Sequence, residues 1–421
     1  MVPYDIPSLR QLRAFQAVAR LGNISRAARE VSLSQPALTQ SLHALEAKLG
    51  ITLFSRRRSG CYTTELGAIL LPRVQRFFEQ IRSALGGSAV GAPFTRLQNA
   101  ETIINKLTRS QILSLIGISE NQSLEAASHS LGITPTSLHR CAKQLEGELG
   151  RSLYQRMASG ITTTTQGSEL ARRFQLALSE IDYGFQEVRA AQGNVISRVA
   201  IGNIPHSNSL ILSAAIDGLL RAYPSASVKV SEGRYGALLN ELRAGRLDFI
   251  FGVLRRPEWA RDVKEEQLFS YSYVLVVRRG HPLTSLPAIR LHDLTRYDWI
   301  LPDPSTPRRQ AFEEMFSTSK DRPRVSIEAT TMSVYRAILA SSDRLTLMSQ
   351  PEAQLNDQSA LTVLPYRSPC LSRADGVATR LDWQPTSIHR QFLDLLRAQA
   401  LLQKVPSAIQ PRKAAQSKLI A

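Results

Sequence analysis

Cysteine is scarce in this chain. There are three in 421 residues, Cys61, Cys141 and Cys370, far apart and in neither CxxC nor metal-ligand spacing. That pattern excludes a disulfide scaffold and a cysteine-built metal site, and it fits free thiols in a reducing compartment. Long apolar runs are absent too, so no segment reads as a bilayer span. The opening Met1-Val2-Pro3-Tyr4-Asp5 lacks the basic and apolar regions of a signal peptide. A cytoplasmic protein with no membrane partner is expected. Acidic residues are outnumbered, 35 against 52 basic, for a net charge of +17. A polyanionic partner suits that balance, although a basic membrane-surface protein would share it. Reactive motifs are missing as well: there is no G-x-S-x-G, P-loop, H-E-x-x-H or Rossmann glycine fingerprint. We therefore expect no enzyme, no cofactor and no metal.

What is present starts at Ser34. Its hydroxyl suits an N-cap, and Pro36 is tolerated in a first helical turn. Leu38, Leu42, Leu45 and Leu49 then share one helical face, while Pro36, Thr39, Gln40 and His43 share the other, and Gln35 in the first turn is a further candidate for base edges. The polar face has groups of the right reach for base edges and carries no acid. A shorter stripe, Ile24, Ala27, Ala28 and Val31, precedes it across the tight connector Ser32-Leu33-Ser34. Helix, short turn, helix is the pattern whose second helix enters a major groove. The following segment from Leu53 to Thr64 reads as a β-wing, with Arg56, Arg57 and Arg58 placed for phosphates or a minor groove. An ordinary helical hairpin with a solvated polar face would share the periodicity.

The segment then repeats. Shifted by one hundred positions, it lands on itself without a gap: Ala27 meets Ala127, Leu38 meets Leu138, Leu45-Glu46 meets Leu145-Glu146, and Gly67 meets Gly167. The copies differ in charge. Residues 9–70 hold nine basic and three acidic groups, a balance of +6, whereas residues 109–170 hold five of each. Phosphate contacts need cations, so the first copy is the expected reader. Arg140, Lys143 and Arg156 form a candidate second DNA surface; a degenerate copy kept for packing or dimerisation is the other reading. A helix follows each copy, through Leu70, Val74, Phe77 and Ile81 and through Leu170, Phe174, Leu178 and Ile181. Between them, Gly86 to Pro93 reads as a flexible break. With the residues up to Thr108 it would span roughly 20–25 Å, enough for the two helices to pack together in one chain.

From about Val195 strands alternate with helices. Strands are expected at Arg198–Gly202, Ser227–Val230, Leu247–Gly252 and Tyr273–Val277, and helices at Leu238–Ala244, Arg309–Phe316, Val334–Ala340 and Arg390–Ala398. Three loops could supply ligand contacts: Pro205, His206 and Ser207; Arg234 and Tyr235; and Ser305, Thr306 and Arg308, with Thr331 and Ser333 nearby. Hydroxyls and arginines at helix starts suit an anion, a carboxylate or sugar hydroxyls. Ordinary helix capping would use the same residues.

The stretch from Leu9 to Gly67 closely resembles the winged helix of LysR-type bacterial transcriptional regulators. Leu12, Phe15, Gly22, Ala27-Ala28, Ser34-Gln35-Pro36-Ala37-Leu38, Leu45-Glu46, Leu49-Gly50, Leu53-Phe54, Arg56, Thr64 and Gly67 carry the likeness. Ser59 stands where a basic residue is usual, and Leu66 where alanine is usual. Leu242 to Asp248 and Gly280-His281-Pro282-Leu283 resemble the effector-binding domain of that family, a two-lobed periplasmic-binding-protein-like fold. Leu254-Arg255 with Pro257, and Asp382 to Thr386, resemble a subgroup named for a galactose-binding-protein regulator. Ordinary members carry one winged helix, so the repeat departs from the family layout.

The resemblance implies a fold class: a multidomain protein with two all-α winged helix-turn-helix domains and their linker helices, then a two-lobed α/β domain. The expected boundaries are 8–66 for the first winged helix, 67–107 for a linker helix and loop, and 108–166 for the second winged helix. A dimerisation helix follows at 167–194, and the effector domain at 195–398. Lobe I comprises 195–275 with 373–398, lobe II 276–372, and 399–421 a basic disordered tail. The resemblance also implies double-stranded operator DNA, a sugar, carboxylate or related metabolite as effector, RNA polymerase, and a homodimer or homotetramer. The competing class is a cytoplasmic small-molecule-binding or scaffold protein whose winged helices no longer bind DNA.

Overall fold

The computed structural model describes residues 6–86, 94–158, 160–193, 197–205, 207–255, 260–355, 360–367 and 371–403. Ser159, His206, Pro257, Cys370, residues 87–93 of the expected break and the tail from 404 lie outside the described residues. By internal contacts the chain divides into two units. One comprises Met1–Gly202, Tyr223–Ile250 and Asp382–His389, the other Asn203–Ala222, Phe251–Leu381 and Arg390–Ala421.

In the first unit, local signals set the helix ends. Ser8 opens α1 (Leu9–Leu21) with a capping box closed by Gln11, and Gly22 ends it at φ 62°. Asn23 caps α2 (Ile24–Glu30). Ser34 caps α3 (Gln35–Leu49), its hydroxyl accepting from the Ala37 N–H. A hairpin of β1 (Phe54–Arg57) and β2 (Gly60–Thr63) leads into α4 (Glu65–Gly86). Then comes α5 (Phe94–Lys106). The earlier order recurs in α6 (Arg109–Asn121), α7 (Leu124–Leu131), α8 (Pro135–Leu149), the hairpin β3 (Tyr154–Met157) and β4 (Gly160–Thr163), and α9 (Thr165–Ala191).

The repeated letters have repeated jobs. Glu46 Oε1 accepts from the Leu53 N–H at 2.7 Å, and Glu146 Oε1 accepts from the Leu153 N–H at 2.7 Å. Each carboxylate thereby closes the turn into its hairpin. A Cβ at Gly67 would lie 2.4 Å from the Leu53 carbonyl oxygen, and one at Gly167 2.1 Å from that of Leu153. Only glycine lets helix and strand approach so closely.

Two sequence expectations need correction here. The connection up to Thr108 is not loop throughout, because α5 occupies most of it. Its Ile104, with Leu107 beyond its end, is buried in the cluster that holds Leu12, Phe15, Phe77 and Ile112. The all-α label also omits the hairpins.

Helix α4 packs along α9. Leu70, Val74, Phe77 and Ile81 of α4 and Phe174, Ala177, Leu178 and Ile181 of α9 have no exposed surface. Contacts pair low numbers with high ones, so the helices run antiparallel: a Cβ at Gly184 would lie 2.9 Å from Leu70, and Arg73 reaches Glu180 and Glu187 at 3.0 and 2.8 Å. Arg76 also meets Glu180, at 3.1 Å. The Arg73 guanidinium lies 5.5 Å from the Tyr183 ring centroid. Burial opposes its charge, but Glu187 and Glu180 more than offset this and raise its pKa. Removing one partner of such a buried pair costs about 3–5 kcal/mol.

The α/β part begins with β5 (Arg198–Asn203), α10 (Ser209–Ala222), β6 (Ser227–Glu232), α11 (Tyr235–Arg243) and β7 (Phe249–Val253), and β5 lies between β6 and β7. Asp248, at the end of the Leu242 motif, is buried. It accepts from the Tyr183 hydroxyl at 2.5 Å and the Ala200 N–H at 2.6 Å, with His389 Nε2 3.2 Å away. Burial alone would raise its pKa; His389, Tyr183 and Ala200 together hold it below the ordinary carboxylate value.

In the second unit, β8 (Val263–Arg278) starts ten residues before the expected Tyr273. After it come α12 (Leu291–Leu294), β9 (Trp299–Leu301), α13 (Pro307–Met315), β10 (Val325–Glu328), α14 (Met332–Ala340), β11 (Thr346–Ser349), α15 (Gln350–Leu355), β12 (Leu361–Val363), β13 (Ser372–Arg380) and α16 (Ser387–Gln403). Strands β11, β12 and β13 all pair antiparallel with β8. Helix α16 runs past the expected domain end at 398. Among the described residues no helix is long and apolar enough to cross a membrane.

Gly67→Ala should destabilise the chain by about 1–3 kcal/mol through overpacking against the Leu53 carbonyl. Urea denaturation measures it; an unchanged midpoint would show that the helix can shift.

Candidate nucleic-acid interface and effector site

In α3 the leucines Leu38, Leu42 and Leu45 are buried, which turns the opposite face outward. Gln35, Pro36, Gln40 and His43 are exposed, and Thr39 is half-buried. Ser34, also exposed, caps the helix, so its hydroxyl is engaged with the Ala37 N–H. Ser25 donates to Gln35 Oε1 at 3.1 Å, fixing the first polar side chain across the turn. His43 lies 3.5 Å from Glu46, the carboxylate that closes the turn into the hairpin. Arg56, Arg57 and Arg58 are exposed on the hairpin, and Arg57 lies over the Tyr62 ring at 5.9 Å. The hairpin is tied to the α1–α2 turn by the Cys61 N–H, which donates to the Gly22 carbonyl at 2.8 Å. Cys61 itself is buried, and burial pushes its thiol pKa up. Polar helix face and arginine wing therefore sit on one rigid body.

The second run of elements has the same frame with different exposed groups. Arg140 and Lys143 of α8 and Arg156 of β3 are exposed; Met157 takes the hairpin position held by Arg57 in the first run.

The candidate effector residues are divided. Arg234 is exposed and Tyr235 buried, both in the first unit. The others belong to the second unit. Ser207 is buried, and its hydroxyl is spent locally on Asn203 Oδ1 at 2.7 Å and the Ile204 carbonyl at 2.8 Å. Thr306 caps α13, accepting from the Arg309 N–H and donating to the Asp303 carbonyl. Ser305 donates to Asp303 Oδ1 at 2.6 Å. For Ser207, Ser305 and Thr306 the structure shows the capping and turn bonds that the sequence left open beside ligand contact. Pro205 is half-buried in its turn; Thr331 and Ser333 are exposed at the start of α14.

Arg308 is not a free cation either. It is 3% exposed and paired with Glu352. Burial works against its charge, yet Glu352 and Tyr273 leave its pKa raised. Around it lie groups that spacing did not single out. Its guanidinium is 5.6 Å from the Tyr273 ring centroid, and that of Arg373 5.9 Å. Tyr271 meets Tyr273 edge-on at 5.7 Å. Asp375 is 1% exposed; burial pushes its carboxyl up to about 7, against the backbone of Asn208 and the Tyr271 hydroxyl, which favour its charge.

Comparison with known proteins decides the family. The family described as bacterial regulatory helix-turn-helix protein, lysR family, matches residues 9–68 and again 110–168. The LysR substrate binding domain matches residues 192–401. The HTH-type transcriptional regulator GalR of Pseudomonas putida is 30% identical over 90% of this chain and 94% of its own length. The chain belongs to the LysR family. PcaQ of Agrobacterium fabrum, an HTH-type transcriptional regulator, is 27% identical over 65% of this chain and 88% of its own. Among solved structures, a full-length OxyR variant from Pseudomonas aeruginosa shares the fold at TM-score 0.55 and 19% identity, over 70% of this chain and 95% of that one. CbnR, a LysR family transcriptional regulator, does so at TM-score 0.51 and 16% identity, over 69% and 98%.

As a LysR-type regulator, the protein binds DNA through its helix-turn-helix and a small-molecule effector through its C-terminal domain. The Arg308 cluster was hidden from sequence reading because its members come from β8, α13, α15 and β13. The one local signal was the alternation Tyr271, Tyr273, which places both rings on one face of a strand.

A carboxyl with a raised folded-state pKa is protonated in the folded chain while the unfolded chain ionises, so stability falls as pH rises from about 4 to about 7. Asp375→Asn removes that loss. Its melting temperature should exceed that of the wild type at pH 8, with the gap closing towards pH 4. A gap independent of pH would contradict a raised Asp375.

Proposed function

We propose that the first winged helix reads operator DNA and that a small effector bound between the two lobes of the C-terminal domain controls it. One observation carries the DNA half: exposed Gln35, Gln40 and His43, with half-buried Thr39 between them, share a rigid body with exposed Arg56, Arg57 and Arg58. Side-chain amides and hydroxyls suit base edges, and arginines suit phosphates. Arg140, Lys143 and Arg156 make the second run a duplicated winged helix of weaker DNA affinity, since its overall charge is near zero. The chain acts on chromosomal DNA in the cytoplasm, assembles as a homo-oligomer and passes its state to RNA polymerase.

For the effector, the ionic groups of the second unit favour a small polar metabolite rich in hydroxyls over a strongly charged one. Arg308 already has Glu352, and Asp375 gains little from ionising in place. Tyr271 and Tyr273 add aromatic faces beside those groups. Sugars and hydroxylated carboxylic acids fit that description.

Gel retardation on the DNA upstream of its own gene, over a salt series, tests the DNA half. Gln40→Ala should relax discrimination at one base pair by about 1–3 kcal/mol. Arg58→Ala should weaken all sequences alike and lower the salt slope by about one. Intact binding in both, together with loss in Arg140→Ala, would reassign the reader to the second winged helix.

A further inference from the structure

We propose that α4 is built to pair with α9 of its own chain and not with α4 of another copy, so that a single chain carries the paired winged helices. A charge pattern without symmetry points to this. In the hundred-residue register, Arg73 corresponds to Arg173, Glu180 to Gln80, Glu187 to Gly87, and Gly184 to Ala84. The antiparallel contact has a pseudo-two-fold axis near Phe77 and Ala177. On one side of it, Arg73 and Arg76 meet Glu180 and Glu187. On the other, Gln80 donates to Asp382, and Arg173 meets no acid of α4: it pairs with Glu169 in its own helix and donates to the Ser83 carbonyl at 3.4 Å.

Two copies of α4 in this geometry would bring Arg73 and Arg76 of each against Gln80 of the other. The buried face of α4, from Leu70 to Ala84, contains no acid, and its one acid in that span, Glu79, is exposed. Four guanidinium groups would be desolvated without a counter-charge, an arrangement far costlier than the pairing observed. Two copies of α9 would be tolerated, with Arg173 set against Glu180 and Glu187. That choice would strand α4, exposing its apolar stripe together with both arginines. Only α4 with α9 satisfies both helices.

Position within the chain favours the helix's own α9 over a neighbour's. Helix α5 is seated on the first winged helix: Arg82 of α4 pairs with Glu101, Arg13 donates to the Ile104 carbonyl, and Leu107 is buried in the cluster shared with α6. An exchange between chains would have to unseat that connector. The consequence is an asymmetric grip, one basic reader and one neutral reader on each DNA-binding unit. This last step rests on α3 as the DNA-contacting helix; the pairing itself does not.

Two measurements on the full chain decide it. Cysteines placed at Val74 and Leu178 in an otherwise cysteine-free chain should form a bond within single chains at high dilution. Linked dimers alone would overturn the proposal. Charge exchange is the second test, read by light scattering and by retardation of the upstream DNA. Arg73→Glu alone, and Glu180→Arg with Glu187→Arg alone, should each weaken DNA binding at least about tenfold and enlarge the particle. All three changes in one chain should restore both properties. Mixing the two defective chains should restore neither, and recovery in the mixture would mean that α4 pairs across chains. If the reversed chains fail to fold, the cysteine pair still separates pairing within a chain from pairing across chains. A chain that closes on itself yet ignores the DNA would leave the pairing standing and remove the reading of α3.

Discussion

The contact on which the rest of the first unit depends is the Arg73 guanidinium buried between α4 and α9. Its Coulombic gain must repay the desolvation of a full charge, and it does so only because geometry supplies two carboxylates and an aromatic face. That aromatic face belongs to Tyr183, whose hydroxyl is already committed to Asp248. One tyrosine therefore joins two tasks: its ring receives the charge of the first winged helix's following helix, and its oxygen ties α9 to Asp248, which leads into β7 and accepts from Ala200 of β5. Gly184 beside it lets α4 come close enough for both. A larger residue there would push on Leu70 and on Arg73 itself.

Most of the first unit was legible because its signals are local. Caps at Ser8, Ser34, Thr108 and Thr134, and glycines at Gly22, Gly50 and Gly150, mark helix ends in the sequence as they do in space. The repeat was legible for a related reason. Glu46 and Gly67, with Glu146 and Gly167, are fixed by contacts inside each run, so they persist wherever the run does. Helix α5 was obscured by the glycine-rich stretch before it and by its own mixed composition. The first third of β8, Val263 to Gln267, is charged and lacks the apolar alternation that marks a strand. Its strand character comes from pairing with β13, a partner more than a hundred residues away.

The effector residues show the limit of reading types without partners. Ser207, Ser305 and Thr306 have the hydroxyls a ligand would use, and short-range bonds already engage the donor side of those hydroxyls. Arg308 has the right charge, and Glu352, 44 positions on, already balances it. Asp375 is an isolated acid in the sequence, although its burial raises its carboxyl pKa to about 7.

The two runs that match the helix-turn-helix family differ in a way that separates packing from DNA contact. Positions that hold the frame largely recur: the turn-closing glutamate, the glycine under the hairpin, the capping hydroxyl, and two of the three buried leucines, Leu38 and Leu45 with Leu138 and Leu145, while Leu42 becomes the smaller Ala142. Positions that face outward have diverged. Gln35-Pro36 becomes Pro135-Thr136, the run Arg56-Arg57-Arg58 becomes Arg156-Met157-Ala158, and a balance of +6 becomes zero. If the second copy were needed chiefly as a DNA reader, the cations would be the constrained positions, because each phosphate contact depends on one. The frame is constrained instead, and what that frame projects is α9, with Glu180 and Glu187 in the place of an uncharged glutamine and glycine. The second run thus differs from the first most usefully in its following helix. That helix supplies the acids without which Arg73 could not be buried.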